Sequence, residues 1–295
     1  MPAPMQLTER DLRLLAHVGQ SRFRSSAQLA LLDGGSEQKV IRRLRALFDH
    51  GYLDRPKQQL ASLLILGPRK MVYGLAPKGA RTLREHGYHL NGVGDWTEKN
   101  KRAGAIFIEH TLAVAEFMTG LELSCRAHKD VEIVREREII AEGPEVTRSA
   151  REPLRWVVRP ERKRGEVWSV VPDSMFALSF ADSTASYFLL EIDRGTIPIA
   201  RTAFDHRSIV RKLDIYYQGW RAGRHVEQFG VKQLRVLFVT ESAERVKNML
   251  RAVDQVTGGR GSNFFLFIDQ ATLAAGDPLD VPWMSGKRQA VRLTD

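Results

Sequence analysis

The sequence has little cysteine and no long apolar run, and each shortage excludes a class of protein. Cys125 is the single cysteine among 295 residues, so the chain cannot hold itself with internal disulfides or build a cysteine-based zinc site. No stretch reaches the roughly 18 consecutive apolar residues that indicate a membrane-spanning helix. The first residues also lack the apolar core of a secretory signal. We therefore expect a cytoplasmic protein that binds no membrane.

Positive charge is abundant, and it is concentrated at one end of the chain. Residues 1–90 carry 15 Lys and Arg against 7 Asp and Glu, whereas the other residues carry 30 against 28. The first part therefore holds +8 of the formal net charge of +10. A basic module of this kind favours polyanionic partners such as nucleic acid. The length of the chain suits two domains.

The basic module has the pattern of three helices followed by two strands and a closing helix. Residues that commonly cap helices stand before the apolar-periodic segments, and Gly-rich or Pro-containing turns separate them. The predicted elements are helices over residues 9–19, 27–32 and 36–50, strands over 62–66 and 71–75, and a last helix over 78–86.

The third of these helices has a core side and a basic side. Its core stripe is formed by Val40, Ile41, Leu44, Leu47 and Phe48. Its opposite surface carries Gln38, Lys39, Arg42, Arg43 and Arg45. Cations this close repel one another unless an anion neutralises them, and the sequence places no acidic residue between Gln38 and Arg45. We expect this surface to bind DNA.

Two segments of the basic module resemble a known DNA-binding architecture. RRLRALFDHGYLDRP (42–56) and MVYGLAPKGARTL (71–83) are similar to the recognition helix, wing and closing helix of the winged helix-turn-helix superfamily. The resemblance covers residues 7–88. It implies that the third helix enters the major groove, with Gln38 and Arg42 at base edges, while Arg69 and Lys70 of the wing hold phosphates. A solvated basic surface and a protein-docking module are the alternatives.

The second part of the chain has the pattern of a mixed sheet flanked by helices. Residues 91–105 lack apolar periodicity and predict a linker, residues 106–278 predict the second domain, and residues 279–295 predict an irregular tail. The fold is therefore α/β, or α+β over the whole chain. The predicted elements are helices over 106–128, 202–223 and 242–256, and strands over 131–140, 154–158, 166–171, 187–192, 234–240 and 264–268.

Three carboxylates follow the ends of two predicted strands. Asp173 comes after the strand 166–171, Glu191 lies at the end of the strand 187–192, and Asp193 directly follows that strand. Strand alternation puts Glu191 and Asp193 on one side of the sheet, and neighbouring strands lie about 5 Å apart. Acids at paired strand ends can share a divalent cation, and oxygen ligands suit Mg²⁺ or Mn²⁺. A turn cap at Asp173 and an ion-paired turn at the other two acids are the structural alternatives.

The placement of these acids resembles the PD-(D/E)xK nuclease superfamily, whose fold is that of restriction endonucleases. Asp173 matches the first acid of its motif and Glu191 the second, whereas Asp193 stands where the superfamily usually has Lys. Some members draw that Lys from the following helix, and Lys212 matches such a position. The resemblance implies metal binding by Asp173, Glu191 and Asp193, with Lys212 as a catalytic residue. The alternative for Lys212 is an ion pair with a neighbour.

A second resemblance covers almost the whole chain. Behind the winged helix stand HTLAVAEF (110–117), PDSMFAL (172–178), FLLEIDRGT (188–196) and KLDIYY (212–217), which together resemble the replication-relaxation family. That family belongs to plasmids, phages and integrative elements and is implicated in plasmid replication and DNA relaxation. His110 matches its helix motif and is a further catalytic candidate. A satisfied core histidine is the alternative.

The sequence therefore predicts a double-stranded-DNA-binding protein of a mobile element that acts in replication or relaxation. Two alternatives stay open for its nuclease-like domain. It is an active magnesium-dependent endonuclease or nickase, or it is a cleavage-dead scaffold that docks a replication or transfer protein, which makes the chain a regulator of transcription or initiation. A homodimer also stays open, because winged helices often act in pairs but the sequence has no isolated heptad seam.

Overall fold

A computed structural model describes residues 5–59, 70–88, 90, 100, 102–160, 165–195, 199 and 208–295. The chain divides into two compact parts, here called unit 1 (Met1–Leu123) and unit 2 (Ser124–Asp295). Among the described residues, no helix combines the length and the apolar character that crossing a bilayer requires.

Unit 1 contains helices around a small antiparallel sheet. In the part of the chain that the structure describes, this sheet has three strands, hydrogen-bonded in the order β1-β3-β2. The first and second helices each begin with a capping box, formed by Thr8 with Asp11 and by Ser25 with Gln28. The elements are α1 (Glu9–Ser21), β1 (Phe23–Ser25), α2 (Ser26–Asp33), α3 (Glu37–Asp49), β2 (Leu53–Asp54), β3 (Val72–Leu75), α4 (Pro77–Glu85) and α5 (Ala105–Ala127).

The structure confirms the helices predicted for the basic module and the strand predicted over residues 71–75, with shifts of a residue or two at their ends. The first predicted wing strand, over residues 62–66, lies outside the described residues. One core assignment is wrong, because Ile41 is 42% exposed. The buried stripe of α3 consists of Val40, Leu44 and Leu47, which pack against α1 and α2 with no exposure to solvent.

The helix α5 packs on unit 1 through polar as well as apolar contacts. Arg24 is fully buried, and its Nη1 donates to Thr119 Oγ1 at 2.5 Å. Gln28 Nε2 donates to Leu112 O at 3.0 Å and to Glu116 Oε2 at 2.7 Å. Most of this helix therefore belongs to unit 1, and the division falls later than the linker predicted over residues 91–105.

Unit 2 is built on a seven-stranded mixed sheet with the order β12-β11-β10-β9-β8-β7-β4. The pairs β8–β9 and β9–β10 are parallel and the other pairs are antiparallel. A separate hairpin joins β5 to β6. The elements are β4 (Val131–Arg135), α6 (Glu136–Glu142), α7 (Glu145–Arg148), β5 (Trp156–Val158), β6 (Trp168–Val170), β7 (Ser174–Phe180), β8 (Ala185–Asp193), α8 (Ile209–Arg221), α9 (Arg224–Phe229), β9 (Leu234–Thr240), α10 (Ala243–Thr257), β10 (Phe265–Asp269), α11 (Gln270–Ala274), β11 (Trp283–Ser285) and β12 (Ala290–Val291).

The core of unit 2 lies between the sheet and the two long helices. Phe238 of β9 and Phe267 of β10 stack at 5.3 Å between ring centres and have no exposure to solvent. Leu213 of α8 and Val253 of α10 are buried in the same cluster. The predicted order of a helix, strands, a helix and a strand is present, with short helices and the hairpin inserted after β4.

Three predicted features of unit 2 are wrong. The strand predicted over residues 131–140 ends at Arg135, because a helix begins directly after it. The backbone N–H of Arg135 donates a hydrogen bond to Glu138 Oε2 at 3.0 Å, which caps that helix. The strand predicted over 166–171 belongs to the separate hairpin, and the unpredicted strand β7 takes its place in the main sheet. The tail predicted to be irregular contributes β11 and β12, anchored by the fully buried Trp283.

Candidate functional site

The basic surface of α3 is exposed at most of the positions that the sequence indicates. Gln38, Lys39, Arg42 and Arg45 are all exposed. Arg42 Nε donates to Gln38 O at 3.4 Å, within the same helix. Arg45 Nε lies 3.8 Å from Asp49 Oδ2, with both side chains at least half exposed, so water screens this pair strongly.

Arg43 differs from its neighbours, because its guanidinium group binds a buried acid of the same unit. Its Nε donates to Asp11 Oδ1 at 2.5 Å, and its Nη2 donates to Asp11 Oδ2 at 2.6 Å and to Gln6 O at 2.8 Å. Burial alone would raise the pKa of Asp11, but the hydrogen bonds from Arg43 and Thr8 lower it below its ordinary value. Arg43 therefore ties α3 to α1, and this pairing competes with its predicted contact to DNA.

Of the two predicted wing cations, Lys70 is described and Arg69 lies outside the described residues. Lys70 Nζ is 3.7 Å from Glu37 Oε1, at the first turn of α3, and both side chains are more than half exposed. The contact is a surface ion pair of small strength.

Asp173 lies where two paired strands meet. It comes just before β7, rather than at the end of a strand as expected. Its backbone N donates to Leu190 O at 2.9 Å, and its Oδ2 accepts from Ile192 N at 2.7 Å. Because β7 and β8 are antiparallel, the start of one lies beside the end of the other, and Asp173 is fixed next to Glu191.

Glu191 is 1% exposed and is held by two side chains of α8. Tyr216 Oη donates to its Oε1 at 2.6 Å, and Lys212 Nζ forms an ion pair with its Oε2. Lys212 and Tyr216 are four residues apart, so they lie on one face of the helix. The structure therefore brings Asp173, Glu191 and Lys212 together at one end of β8, and we call these residues with Tyr216 the acid–lysine cluster.

The charges of this cluster shift one another's protonation. Burial raises the pKa of Glu191 to about 7, with Asp173 adding to the rise and Lys212 opposing it. Burial alone would lower the pKa of Lys212, but the charges of Glu191, Asp173 and Asp193 outweigh that effect and raise it. Burial and the neighbouring Glu191 raise the pKa of Tyr216. Lys212 therefore stays protonated at neutral pH, whereas Glu191 is near the midpoint of its titration.

Asp193 has hydrogen-bond partners that differ from those of Glu191. Arg245 of α10 binds both of its oxygens, with Nη2 at 2.9 Å from Oδ1, and Thr240 Oγ1 donates to Oδ2 at 2.9 Å. These contacts compete with a metal ion for Asp193, and the sharing of one ion by Asp173, Glu191 and Asp193 stays a prediction. Among the described residues, the group of three potential ligands within 4.8 Å of one another is instead His128, Asp277 and Asp280.

One comparison with known proteins finds a match. The model of the family described as Replication-relaxation matches residues 15–234. This chain belongs to the replication-relaxation family. No curated protein and no solved structure matches it. The matched segment contains α3 and the whole acid–lysine cluster, whereas Arg245, the partner of Asp193, follows it.

Membership of the replication-relaxation family connects the chain with the replication and relaxation that the family description names. His110 lies on α5, is half-buried and belongs to unit 1, whereas the acid–lysine cluster belongs to unit 2. The cluster forms from unit 2 residues, and a catalytic role for His110 stays a prediction.

Two members of the site were missed in the sequence, for different reasons. Tyr216 stands four residues after Lys212, and that helical spacing was a usable signal for a second ligand of Glu191. Arg245 had no such signal, because it follows a buried strand and begins the next helix without a motif. Its pairing with Asp193 depends on how α10 packs on the sheet.

Proposed function

We propose that this member of the replication-relaxation family binds double-stranded DNA through α3, and that it does so on a plasmid, phage or integrative element. The observation that supports the proposal most is the exposed row of cations Lys39, Arg42 and Arg45 on one short helix. α3 is the third of three helices that are followed by a pair of strands, and this order is typical of a winged helix-turn-helix.

The exposed residues of α3 divide into base-reading and phosphate-binding roles. Gln38, Ile41, Arg42 and Arg45 are spaced by three and four residues, so they form one stripe along the helix. Gln38 and Arg42 can pair with adenine and guanine edges, and the exposed Ile41 offers an apolar contact for a thymine methyl. Lys39 and Arg45 neutralise phosphates on either side. Arg43 contributes by fixing the orientation of the helix against α1.

Duplex binding is tested with the full-length protein and a labelled duplex, followed by fluorescence anisotropy over a range of salt concentrations. The variant Lys39→Ala/Arg42→Ala/Arg45→Ala should lose about 100-fold in affinity at physiological salt. The slope of log affinity against log salt should fall by about 0.9 for each lost phosphate contact.

The matched control removes three exposed cations from other helices of unit 1: Arg13→Ala/Arg81→Ala/Arg84→Ala. It changes net charge by the same amount, so a general effect of charge would weaken both variants equally. That result, or duplex affinity unchanged in the α3 variant, would overturn the proposal.

We infer a second activity, phosphodiester cleavage, from the acid–lysine cluster. The paired ends of β7 and β8 hold two carboxylates beside a protonated Lys212. Asp173 and Glu191 offer the oxygen donors that Mg²⁺ or Mn²⁺ prefers, and such an ion, when bound, polarises a phosphate and lowers the pKa of a bound water. Lys212 supplies positive charge to the phosphate oxygens. Tyr216 orients Glu191 through its hydrogen bond.

Cleavage is tested on supercoiled plasmid with Mg²⁺ or Mn²⁺. Wild type should produce nicked circles, and Asp173→Asn and Lys212→Met should each lower the rate by about 100-fold or more, because each removes a charge that the transition state needs. The matched control is Asp182→Asn, which changes an exposed acid in the turn after β7.

Two outcomes would contradict cleavage. Nicking that persists in Asp173→Asn would assign the activity to a contaminant or another site. Wild type that nicks with neither metal would favour the scaffold, in which the pairing of Glu191 with Lys212 is structural and the protein acts as a regulator of replication or transcription.

A further inference from the structure

Unit 2 contains a pocket that takes no part in the acid–lysine cluster. Its volume is about 600 Å³, and it is lined by the end of α8, the start of β9, the loop before β10 and the turn between β11 and β12. Because β8 and β9 are parallel, the pocket at the start of β9 and the acids at the end of β8 lie at opposite ends of the sheet.

Aromatic rings form one side of this pocket. Trp220 stacks on Phe264 with 5.2 Å between ring centres and 20° between planes, and on Tyr217 at 6.0 Å and 25°. Tyr217 and Phe264 are buried, whereas Trp220 is half-buried. Trp220 is therefore the most solvent-exposed of the three rings.

Cations form the rest of the pocket. Lys232, Arg260 and Lys287 are exposed, and Arg235 is half-buried. None of the described residues that line the pocket is an acid. The four cations come from three separate segments of unit 2, so their charges are spread around the aromatic stack, and an extended polyanion would contact several of them at once.

We propose that this pocket binds single-stranded nucleic acid, with a base against the exposed part of Trp220 and successive phosphates on Lys232, Arg260 and Lys287. A positively charged groove beside stacking rings is the arrangement by which proteins bind single strands without sequence preference. A duplex fits it poorly, because paired bases do not offer their faces for stacking. The site depends on neither α3 nor the acid–lysine cluster, so it goes beyond the function proposed above.

The charge contribution is tested with full-length protein and labelled oligothymidylate of about 12 nucleotides, long enough for one site of this kind. Lys232→Ala/Arg260→Ala/Lys287→Ala should weaken binding by at least about tenfold, and the salt slope should fall by about 0.7 for each lost contact. The control Lys129→Ala/Arg151→Ala/Arg251→Ala removes three exposed cations of unit 2 from outside the pocket. Equal loss in both variants would overturn the proposal.

The stacking contribution is tested at Trp220. Binding should quench tryptophan fluorescence in wild type, Trp220→Phe should bind with little quenching, and Trp220→Leu should bind at least about fivefold more weakly because it loses the stack. An abasic strand of the same length should bind wild type more weakly than oligothymidylate does. Equal affinity for the two strands, or quenching that persists in Trp220→Phe, would place the bases elsewhere and contradict the proposal.

Two further measurements separate this site from others. The α3 variant Lys39→Ala/Arg42→Ala/Arg45→Ala should keep wild-type affinity for the single strand, and loss of that affinity would assign the binding to unit 1 instead. A nucleoside triphosphate should fail to displace the strand at micromolar concentration. Displacement would identify a mononucleotide site and overturn the proposal.

Discussion

Charged residues are exposed on α3, whereas they are buried at the end of β8. On α3, Lys39, Arg42 and Arg45 are exposed to solvent. At the end of β8, Glu191 and Asp193 are 1% and 6% exposed, and each is bound by a cation from a different helix. The cations of α3 are exposed to a binding partner, whereas the acids of β8 are paired with cations inside unit 2.

The difference separates stability from binding. Exposed charges contribute little to folding, so α3 can carry a binding surface without a large effect on the free energy of unfolding. A buried charge must keep its partner, because the cost of desolvation stays when the partner is removed. Substitutions at the end of β8 should therefore change stability and activity together.

The largest expected effect on stability is at Arg245. Arg245→Met leaves the buried Asp193 without its guanidinium partner, and we expect the free energy of unfolding to fall by about 4 kcal/mol. Urea denaturation followed by circular dichroism measures it. The double variant Asp193→Asn/Arg245→Met removes both charges and should recover much of the loss. A loss below about 1 kcal/mol in the single variant would mean that water reaches Asp193 and that the comparison with α3 fails.

The same contrast explains what the sequence could predict. The basic surface of α3 was predictable, because helical periodicity alone separates its buried stripe from its charged side. Ile41, which is exposed, lies at the border of that stripe, and the pairing of Arg43 with Asp11 was not visible in the helical pattern. The end of β8 was predictable as a motif, but the partners of its acids were not. Those partners depend on which helix packs on which strand. In addition, because Asp173 was assigned to the end of the hairpin strand, β7 was not predicted.

The second prediction concerns the pH dependence at Glu191. Its pKa is raised from 4.5 to about 7 in the folded protein, so its contribution to stability is complete below about pH 4.5 and is lost as pH rises through about 7. Relative to Glu191→Gln, wild type should lose about 3 kcal/mol of unfolding free energy over that interval.

The measurement is urea denaturation of both proteins at several pH values. Lys212→Met should make the loss larger, because it removes the cation that opposes the rise in the pKa of Glu191. Parallel stability curves for wild type and Glu191→Gln would show that the pKa of Glu191 is the same in the folded and unfolded chain, which contradicts the prediction.

The third prediction tests the exception on α3. Arg43→Ala removes the partner of Asp11, whose side chain is fully buried, and should cost about 2 kcal/mol of stability. Arg43→Lys keeps a charge but loses the two-point contact, so it should recover only part of the loss. Thermal denaturation of the full chain measures both. If Arg43→Ala were as stable as wild type, Arg43 would be assigned to DNA binding together with the exposed cations of α3.

The smallest effect is expected one residue away. Arg42 is exposed, and its described contact is a 3.4 Å hydrogen bond within its own helix, so Arg42→Ala should change stability by less than about 0.5 kcal/mol. The same variant should weaken duplex binding, because Arg42 is a proposed base reader. Arg42→Ala and Arg43→Ala therefore form a matched pair, in which the first affects binding and the second affects folding. If the two variants had the same effect on duplex affinity and the same effect on stability, exposure on α3 would not distinguish a binding residue from a structural one.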